Sequence, residues 1–510
     1  MAALLLIYPP LAKNCEPPAG IARIAGYLRG NGVSCATVDA NRLGLDYLLE
    51  LDFNKTDTWS ARAAKNLENN LAGLQDHYFY TNFDRYKRAV YDVNRVLARV
   101  GEAWGLTLSL ADCHDVFSPQ QSADLLKAAR QYRENIFYPF FKKIISPIIV
   151  NEEPDHVGIS ICYLSQAVAA FALIGFIRAE FPGLKIIIGG SLVTSWLRSP
   201  LWNKPFRGLV AACHAGPGEQ YLLDIVGDQI KNAKPAPPQY DCGKYLAPGF
   251  ILPYAASSGC YWNKCLFCPE TAEDNPYLAL CPEQVLADLE TLRARHNPIL
   301  IHFLDNAVSP LLLEKLAESP PGTPWYGFAR ISRQLADEDF CHSLRRAGCV
   351  MLKLGLESGD QQVLERMNKG IKLEMVARVL KALKEAGIMT YVYLLFGTPA
   401  EDEDAALRTM DFTVRHSAEI SFLNLAVFNL PLAGPEAADL QLSEFYQGDL
   451  SLYSDFNHPL GWERRKIRNF LSRKFKRHAA IAPIIQRDPP FFTSNHAPLF
   501  YSLFFRKRDK

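Results

Sequence analysis

Three cysteines lie within nine residues near the middle of the 510-residue chain, in the stretch SSGCYWNKCLFC at 257–268. Cys260, Cys265 and Cys268 are too many for one disulfide and one too few for a closed structural zinc site. Thiolates are soft ligands that suit iron–sulfur clusters as well as zinc. A [4Fe–4S] cluster held by three cysteines leaves one iron free to bind another molecule. The spacing therefore favours a cluster with one open coordination position.

A zinc site is the alternative interpretation of the same residues. Its fourth ligand would be distant, such as Cys281 or a histidine, but Cys281 follows an acidic, proline-containing loop and has no CxxC partner. Three unrelated buried cysteines are a third possibility, which the close spacing disfavours. The other cysteines among the twelve are scattered singly, which is unlike a secreted disulfide framework and suits a reducing cytoplasm.

The residues on either side of the cysteines indicate the elements that position them. Between about 250 and 430, apolar segments such as ILIHFLD and MTYVYLLFG alternate with helical segments such as LEMVARVLKALKEAG. This rhythm predicts a parallel α/β unit over residues 245–430, built as a full or partial barrel. The cysteines follow the predicted strand FILPYAAS. We therefore expect them at the carboxyl ends of the barrel strands, where the active residues of barrels lie.

Residues 1–235 show the same alternation and predict another α/β domain with a parallel sheet. Short apolar runs such as ALLLIYPP and KIIIGG are typical of buried parallel strands. Ligands of such sheets bind beyond the carboxyl ends of the strands. The residues expected there are Asn14, Asn41, Ser160, Gly189, Gly190, Ser191 and Gly216. A mostly helical, aromatic-rich insertion interrupts the domain at about 44–150.

The C-terminal extension, residues 431–510, contains the segment ERRKIRNFLSRKFKRH at 463–478 with eight Lys or Arg residues. Its apolar residues at roughly helical spacing are Ile467, Phe470, Leu471 and Phe475. The ordinary interpretation is a surface helix that packs through this apolar stripe. Contact with a membrane, an anionic substrate or RNA is the alternative. The extension can also close the barrel and contribute to substrate recognition.

Composition restricts the class of protein further. The chain is 49% hydrophobic and 21% charged, as in ordinary globular proteins, and its length predicts two or three domains. The formal net charge of +1 gives no global field that would favour nucleic acid or a membrane surface. The longest apolar run, AVAAFALIGFI, is too short to cross a bilayer, so no transmembrane segment is expected.

Several motifs together resemble one enzyme superfamily. The cysteine trio, with an aromatic residue directly before its last cysteine, resembles the cluster loop of radical S-adenosylmethionine (SAM) enzymes. GLESGDQQVLERMNKG at 355–370 and YLLFGTPAED at 393–402 are similar to later segments of the same barrel. IIIGGSLVTSW and AGPGEQYLLDIV resemble the cobalamin-binding module of one large branch. One departure is the spacing C-x4-C-x2-C, because the family usually has C-x3-C-x2-C.

The resemblance covers about residues 1–430 and implies a fold. The N-terminal domain would be a Rossmann-like, flavodoxin-like cobalamin-binding domain. A partial TIM-type (β/α)6 radical SAM barrel and a small C-terminal extension would follow. In this superfamily the open iron chelates SAM, and an electron from the cluster cleaves SAM to a 5′-deoxyadenosyl radical that abstracts a substrate hydrogen.

The resemblance also implies roles for individual residues. Cys260, Cys265 and Cys268 would be the cluster ligands, and Phe267 would pack near the adenine of SAM. Glu357 and Ser358 would face its ribose or methionyl part, or else cap the following helix. Arg330 would pair with the SAM carboxylate, or else be a plain surface arginine. Asp305 and Asn306 stand where many relatives place Gly-Gly-Glu.

Cobalamin would contact the N-terminal domain through residues at the strand ends. The predicted cobalamin-binding residues are Asn41, Ser160, Gly189, Gly190, Ser191, Gly216 and Glu219. The glycines let the backbone approach a bulky ligand, or else form tight turns. The chain lacks the signature D-x-H-x-x-G, and DCHDVF at 112–117 fits only its first half. No histidine is therefore expected on the lower face of cobalamin, a pattern that also fits a domain that has lost cobalamin.

The resemblance implies a cobalamin-dependent radical SAM methyltransferase acting on an unactivated carbon, or a phosphorus, of a small molecule or peptide. A radical cyclase or rearrangement enzyme without methyl transfer is the alternative. A non-catalytic zinc protein that binds nucleic acid is an alternative of another class, disfavoured by the missing fourth ligand and the low net charge. The expected partners are the substrate and an electron donor of flavodoxin or ferredoxin type.

Overall fold

A computed structural model describes residues 2–227, 230, 233–241, 243–444 and 448–505 of the chain. The chain divides into two compact units. The first contains Met1–Gly249 and Tyr446–Leu452, and the second contains Phe250–Phe445 and Tyr453–Lys510. No helix among the described residues is both long enough and apolar enough to span a bilayer.

The first unit is built on a parallel sheet. Its strands are β1 (Leu4–Tyr8), β2 (Cys35–Asp39), β3 (Thr107–Leu108), β4 (Cys113–His114), β5 (His156–Ser160), β6 (Lys185–Gly189) and β7 (Ala212–Cys213). Five of them form one sheet in the order β2-β1-β5-β6-β7, and all its pairings are parallel. This is the flavodoxin-like order, whose ligands bind where the strand order reverses. The predicted fold of this domain is confirmed.

Helices surround this sheet and fill the insertion. They are α1 (Ala19–Gly30), α2 (Ala40–Glu50), α3 (Thr58–Lys65), α4 (Leu67–Leu74), α5 (Phe83–Glu102), α6 (Ser122–Arg130), α7 (Tyr138–Phe140), α8 (Ser146–Glu152), α9 (Leu164–Glu180), α10 (Ser191–Arg198) and α11 (Glu219–Val226). The longest apolar run of the sequence lies in α9, which packs against α6 and is buried along most of its length. A helix that is apolar on all sides is stable only when it is enclosed in this way.

A segment from the distant C-terminal part of the chain completes the first unit. Ser122, at the start of α6, donates from its backbone N–H to the Asp449 carboxylate at 2.8 Å. The backbone N–H of Leu450 donates to the carbonyl of Gln120 at 2.9 Å. The segment around Asp449, which we call the strap, therefore belongs to the first unit, although Asp449 lies 327 residues after Ser122 in the sequence.

The second unit is a partial barrel followed by a small extension. Its strands are β8 (Ile251–Tyr254), β9 (Ser257–Ser258), β10 (Leu278–Ala279), β11 (Leu300–Phe303), β12 (Trp325–Ala329), β13 (Cys349–Glu357), β14 (Met389–Phe396), β15 (Phe422–Val427), β16 (Leu430–Pro431), β17 (Leu442–Glu444) and β18 (Tyr453–Phe456). Six of them form an all-parallel sheet in the order β8-β11-β12-β13-β14-β15. Neighbours in space are thus neighbours in sequence, as in a barrel, which confirms the predicted (β/α)6 fold.

Helices follow the barrel strands and then form the chain's last segment. They are α12 (Pro269–Ala272), α13 (Pro282–His296), α14 (Pro310–Glu318), α15 (Glu338–Arg346), α16 (Gln361–Arg366), α17 (Leu373–Glu385), α18 (Glu403–Arg415), α19 (Arg464–Arg473), α20 (Ala482–Gln486), α21 (Thr493–His496) and α22 (Tyr501–Phe505). The hydroxyl of Tyr501 donates to the carbonyl of Gly387, just before β14, and the Phe504 ring packs on Phe422 at the start of β15. Helix α22 thus packs against the amino-terminal end of the barrel sheet.

The two faces of the barrel sheet differ in chemistry. On one face Tyr254 donates to Asp288 of α13, and the Trp325 indole N–H donates to the carbonyl of Ala347, so this face packs on the helices. On the opposite face Lys353 Nζ lies 2.9 Å from His302 Nε2, and the His302 ring stacks on Tyr326. Residues alternate between the faces of a strand, so the polar and aromatic set lines the inside of the partial barrel.

Gly190 offers a test of the turn that ends β6. Its φ is +102°, and a Cβ there would lie 2.5 Å from the backbone oxygen of Ile161. We expect Gly190→Ala to destabilise the chain by about 1–3 kcal/mol and to lower the melting temperature by several degrees. Gly183→Ala is the matched control, because a Cβ there meets no atom within 4 Å. Equal melting temperatures of the two variants, measured by circular dichroism, would contradict this account.

Candidate functional site

The three cysteines lie after β8 and β9, at the carboxyl end of the first barrel strand, as the sequence predicts. Cys265 is buried, and Cys260 and Cys268 are half-buried. Between Cys260 and Cys265, Asn263 takes a left-handed conformation with φ of +42°, which asparagine tolerates. Among the described residues no group of three or more His, Cys, Asp or Glu side chains is arranged to hold a metal ion. The convergence of the three thiols stays a prediction.

A second segment, at 367–370, braces the cysteine loop. The backbone N–H of Leu266 donates to the carbonyl of Met367 at 3.1 Å, and the Asn368 side chain donates to the carbonyl of Lys264 at 3.0 Å. The ring of Trp262 lies directly against Gly370, whose φ is +71° and where a Cβ would overlap the indole. The motif ending in Asn-Lys-Gly thus holds the loop in place.

Arg330 connects the end of β12 with both segments. Its Nη2 donates to the carbonyl of Lys369 at 2.6 Å, and its guanidinium carbon lies 4.0 Å from the centre of the Trp262 ring. Its Nη1 is 4.0 Å from the Sγ of Cys265. This arginine is therefore tied into the cysteine loop rather than free on the surface, and its predicted contact with a SAM carboxylate stays a prediction.

Glu357 and Lys369 form an ion pair beside the cysteines. Lys369 Nζ lies 2.8 Å from Glu357 Oε1, and the two side chains are 9% and 13% exposed. Glu357 ends β13 with φ of +68°. Lys369 Nζ also lies 5.5 Å from the centre of the Phe267 ring. The structure thus brings together the predicted residues Glu357, Phe267 and Cys265 through a lysine that the sequence analysis did not single out.

The electrostatics of the thiols depend on opposing effects. Burial raises the pKa of Cys265, while the charges of Lys369 and Arg330 lower it. Burial raises the pKa of Cys268 to about 11, against the backbone N–H groups of Glu270 and Thr271 that favour the thiolate. The loop therefore provides cations and N–H donors that would stabilise coordinated thiolates, while burial keeps the free thiols of Cys265 and Cys268 protonated at neutral pH.

The remaining predicted barrel residues make structural hydrogen bonds. The Asp305 carboxylate accepts from the backbone N–H of Ala256 and from the hydroxyl of Ser257, and Asn306 donates to the carbonyl of Gly259. The residues after β11 thus position the start of the cysteine loop. Burial raises the pKa of Asp305.

Ser358 is fully buried and hydrogen-bonds at 3.1 Å to the Thr409 hydroxyl of α18. Its predicted alternative role as a helix cap is filled by Asp360, which accepts from the backbone N–H of Val363 at 2.9 Å. Phe267 packs against the apolar cluster of Phe428, Leu430 and Phe456. Contacts of these side chains with a cofactor stay predictions.

In the first unit, the predicted residues at the ends of β5 and β6 lie around Cys162. Ser191 donates to the carbonyl of Cys162 at 3.1 Å, and the Ser160 hydroxyl lies 3.6 Å from its sulfur. A Cβ on Gly189 would meet one atom within 4 Å, at 3.7 Å, and a Cβ on Gly216 would meet none. Gly189 and Gly216 therefore border open space, which fits a bulky ligand, whereas Gly190 packs against the backbone of Ile161.

Two other predicted residues of this domain have structural partners. Asn41 is buried in α2, and its side-chain oxygen accepts from the backbone N–H of Ala12 at 2.7 Å. Glu219 begins α11 and forms an ion pair with Arg23 of α1. By contrast, the side-chain oxygen of Asn14 is buried and has no partner among the described residues.

The turn after β14 is anchored by a buried carboxyl group that the sequence analysis left without a role. Glu401 is fully buried, and its Oε2 accepts from the backbone N–H of Gly397 and from the indole N–H of Trp462. His458 Nε2 lies 2.9 Å from the carbonyl oxygen of Thr398 in the same turn. Burial raises the pKa of Glu401 from its ordinary 4.5 to about 8.

We expect Glu401 to make stability fall as pH rises. Between pH 4.5 and about 8 the folded chain keeps a proton that the unfolded chain releases, so unfolding becomes easier by up to about 1.4 kcal/mol per pH unit. In Glu401→Gln this contribution is absent. The free energy of unfolding of wild type minus that of the variant should therefore fall as pH rises from 4.5 to about 8. Urea unfolding at several pH values measures it, with the exposed Glu290→Gln as control. A difference that stays constant with pH would contradict the assignment.

Comparisons with known proteins agree with this geometry. Residues 254–413 match the Radical SAM superfamily profile. The chain is 22% identical over 323 residues to an uncharacterized methyltransferase, PH0819, of Pyrococcus horikoshii, covering 55% of this chain and 69% of that protein. It is 24% identical to the bacteriochlorophyllide d C-12(1)-methyltransferase of Chlorobaculum tepidum, covering 47% of this chain and 54% of that protein. The anaerobic magnesium-protoporphyrin IX monomethyl ester cyclase of Rubrivivax gelatinosus is 26% identical, over 30% of this chain and 28% of the cyclase.

Solved structures share the fold across both units. The cobalamin-dependent SAM radical enzyme OxsB with aqua-cobalamin bound matches with a TM-score of 0.56 at 13% identity, covering 89% of this chain and 64% of OxsB. The radical SAM methyltransferase TsrM of Kitasatospora setae matches with a TM-score of 0.52 at 14% identity, covering 86% of this chain and 78% of TsrM. Residues 254–413 therefore form a radical SAM domain, and the chain shares its fold with the structures of OxsB and TsrM.

Proposed function

We propose that this enzyme is a cobalamin-dependent radical SAM methyltransferase that acts on an unactivated carbon or a phosphorus of a small molecule or peptide. The observation that carries the proposal is the presence in one chain of a flavodoxin-like unit and a radical SAM barrel with three cysteines after its first strand. Two of the relatives are named methyltransferases, which supports methyl transfer over ring closure.

In this proposal Cys260, Cys265 and Cys268 hold a [4Fe–4S] cluster. When bound, the cluster and SAM supply a 5′-deoxyadenosyl radical, and cobalamin supplies the methyl group. The three thiols would bind iron as thiolates, and the charges of Arg330 and Lys369 beside Cys265 would favour the thiolate form of that residue.

The residues around the cysteines would orient SAM. Lys369 fixes the carboxylate of Glu357 at the end of β13, so that its second oxygen can accept from a hydroxyl or ammonium group. Arg330 keeps a guanidinium beside Cys265, where it can attract a carboxylate. In the first unit, Ser160, Gly189, Gly190, Ser191 and Gly216 would border cobalamin.

The inner face of the barrel would receive the substrate. Phe328 and Tyr393 are half-buried there with their ring centres 4.9 Å apart, above the deeper pair of His302 and Lys353. Asp488 of the C-terminal extension hydrogen-bonds to Tyr391 on the same face, and burial raises the pKa of Asp488 to about 7. These groups support a substrate with an apolar or aromatic part and at least one polar group.

The cellular setting is also a proposal. All eleven described cysteines are free thiols. A chain with this many unpaired thiols and an oxygen-sensitive cluster is suited to a reducing compartment. We therefore propose that the enzyme acts in the cytoplasm. The electron would come from a separate reducing protein.

Cysteine variants test the cluster. We expect the chain reconstituted anaerobically with iron and sulfide to be brown, and Cys265→Ser to lose most of the bound iron and the broad visible absorption. Cys281→Ser is the matched control, because Cys281 is exposed and outside the trio. A colourless protein that retains zinc, and that loses zinc in Cys281→Ser, would instead support the zinc interpretation.

Isotope transfer tests the reaction class. The reconstituted enzyme with cobalamin and dithionite should cleave SAM to 5′-deoxyadenosine. With a genuine substrate, the label of methyl-labelled SAM should appear in the product, which mass spectrometry detects. A product that forms without the label would favour the cyclase or rearrangement alternative. Absence of 5′-deoxyadenosine with and without dithionite in a fully reconstituted protein would contradict radical chemistry.

A further inference from the structure

The basic helix α19 and the turn after it present seven cations to solvent. We call these seven residues the basic face: Arg465, Lys466, Arg468, Arg473, Lys474, Lys476 and Arg477. The apolar residues of the same segment, Ile467, Phe470, Leu471 and Phe475, are all buried. The structure thus agrees with the interpretation that the apolar stripe packs on the protein. It leaves the seven cations exposed, with Lys466 donating to the carbonyl of Gly461 at 2.8 Å.

The basic face is a local concentration of charge on a nearly neutral protein. The whole chain carries 55 basic and 54 acidic side chains. Within the part of the chain that the structure describes, Lys474 is the one member of the face in an ion pair, with Glu403 at 2.9 Å. The positive field of the other six cations is therefore directed into solvent, where it can attract an acidic partner at long range.

A short chain of contacts connects α19 with the cysteine loop inside the second unit. Arg464, at the start of α19, donates to the carbonyl of Phe428 at 2.7 Å and to the side chain of Asn429 at 2.9 Å. Phe428 belongs to the apolar cluster against which Phe267 packs, and Phe267 directly precedes Cys268. The basic face thus lies on the element that supports one side of the cysteine loop.

We propose that the basic face docks a small acidic protein that carries one electron to the cluster. This inference rests on the proposed function, because a radical SAM cluster must be reduced before it acts. One electron passes from the reduced flavin or iron–sulfur centre of the carrier to the cluster, so the carrier is oxidised, the cluster is reduced and no atom is transferred. Electrostatic steering suits such brief encounters, because it raises the association rate without requiring tight binding.

Two other occupants fit the face less well. A membrane helix inserts its apolar residues into lipid, but the apolar stripe of α19 is buried in the protein. Proteins that bind single-stranded nucleic acid stack bases on exposed aromatic rings, but both phenylalanines of this segment, Phe470 and Phe475, are buried. An acidic protein surface needs only the charges, which are what the face offers.

Charge reversal tests the proposal on the full reconstituted enzyme. The variant is Arg465→Glu with Arg468→Glu and Arg473→Glu. The matched control is Arg378→Glu with Lys381→Glu and Lys384→Glu, three exposed cations on α17. An acidic flavodoxin and an acidic ferredoxin serve as carriers. Binding of each carrier to the cluster-free and the cluster-loaded protein is measured by calorimetry at low and moderate salt. Formation of 5′-deoxyadenosine is measured with each reduced carrier and with dithionite.

We expect at least one carrier to bind wild type in a salt-dependent way and the basic-face variant to bind it about tenfold or more weakly. Carrier-driven SAM cleavage should fall in that variant only, and dithionite-driven cleavage should stay unchanged in all three proteins. Equal carrier binding by wild type and basic-face variant, or no binding of either carrier, would overturn the docking proposal. Salt-dependent binding of anionic vesicles or single-stranded RNA in place of the carriers would also overturn it. Failure of wild type with dithionite would count against the proposed function instead.

Discussion

The bracing of the cysteine loop by a neighbouring loop is the interaction on which the second unit's chemistry depends. A loop of nine residues with three cysteines has little structure of its own. Here Arg330 stacks on Trp262 and bonds to the backbone at Lys369, while Met367 and Asn368 bond to the loop backbone. The same segment delivers Lys369 to Glu357. The same contacts therefore set both the position of Cys265 and the charges around it. The conformation of the loop and the electrostatics of its thiols are thus linked.

The fold followed from the sequence because its signals are local. Runs such as Leu4–Ile7 are buried on both sides, which is typical of parallel strands. In the barrel sheet the strands are neighbours in sequence order, so only short-range connections are needed. The carboxyl ends of the strands then located Cys260, Cys268, Arg330 and Glu357 at one end of the barrel. The glycine after β6 was also identifiable, since Gly190 has a positive φ and a Cβ there would lie 2.5 Å from the backbone oxygen of Ile161.

The missing parts of the site depend on contacts that sequence spacing does not encode. The sequence does not distinguish Lys369 from the other lysines. Its importance arises from the fold, which brings its Nζ to 5.5 Å from the centre of the Phe267 ring. Glu401 matched a motif, but its partner Trp462 lies 61 residues further on in an irregular region. Asp305 and Ser358 were assigned to a cofactor by motif position alone. The structure adds hydrogen bonds within the protein for both, and their contact with a cofactor stays a prediction. Pairings of this kind become visible only when distant segments are placed together.

The strap at Asp449 has a consequence for how the chain is made. Ribosomes release the N-terminal part first, and domains usually fold in the order of synthesis. Here Ser122 of helix α6 hydrogen-bonds to Asp449, which lies 327 residues later in the sequence. The inner face of the barrel likewise lacks the hydrogen bond between Tyr391 and Asp488 until Asp488 has been synthesised. Neither unit can be finished before the segment that contains Asp449 and Asp488 has left the ribosome, so a nascent chain that stalls before Asp449 leaves both parts of the enzyme incomplete at once.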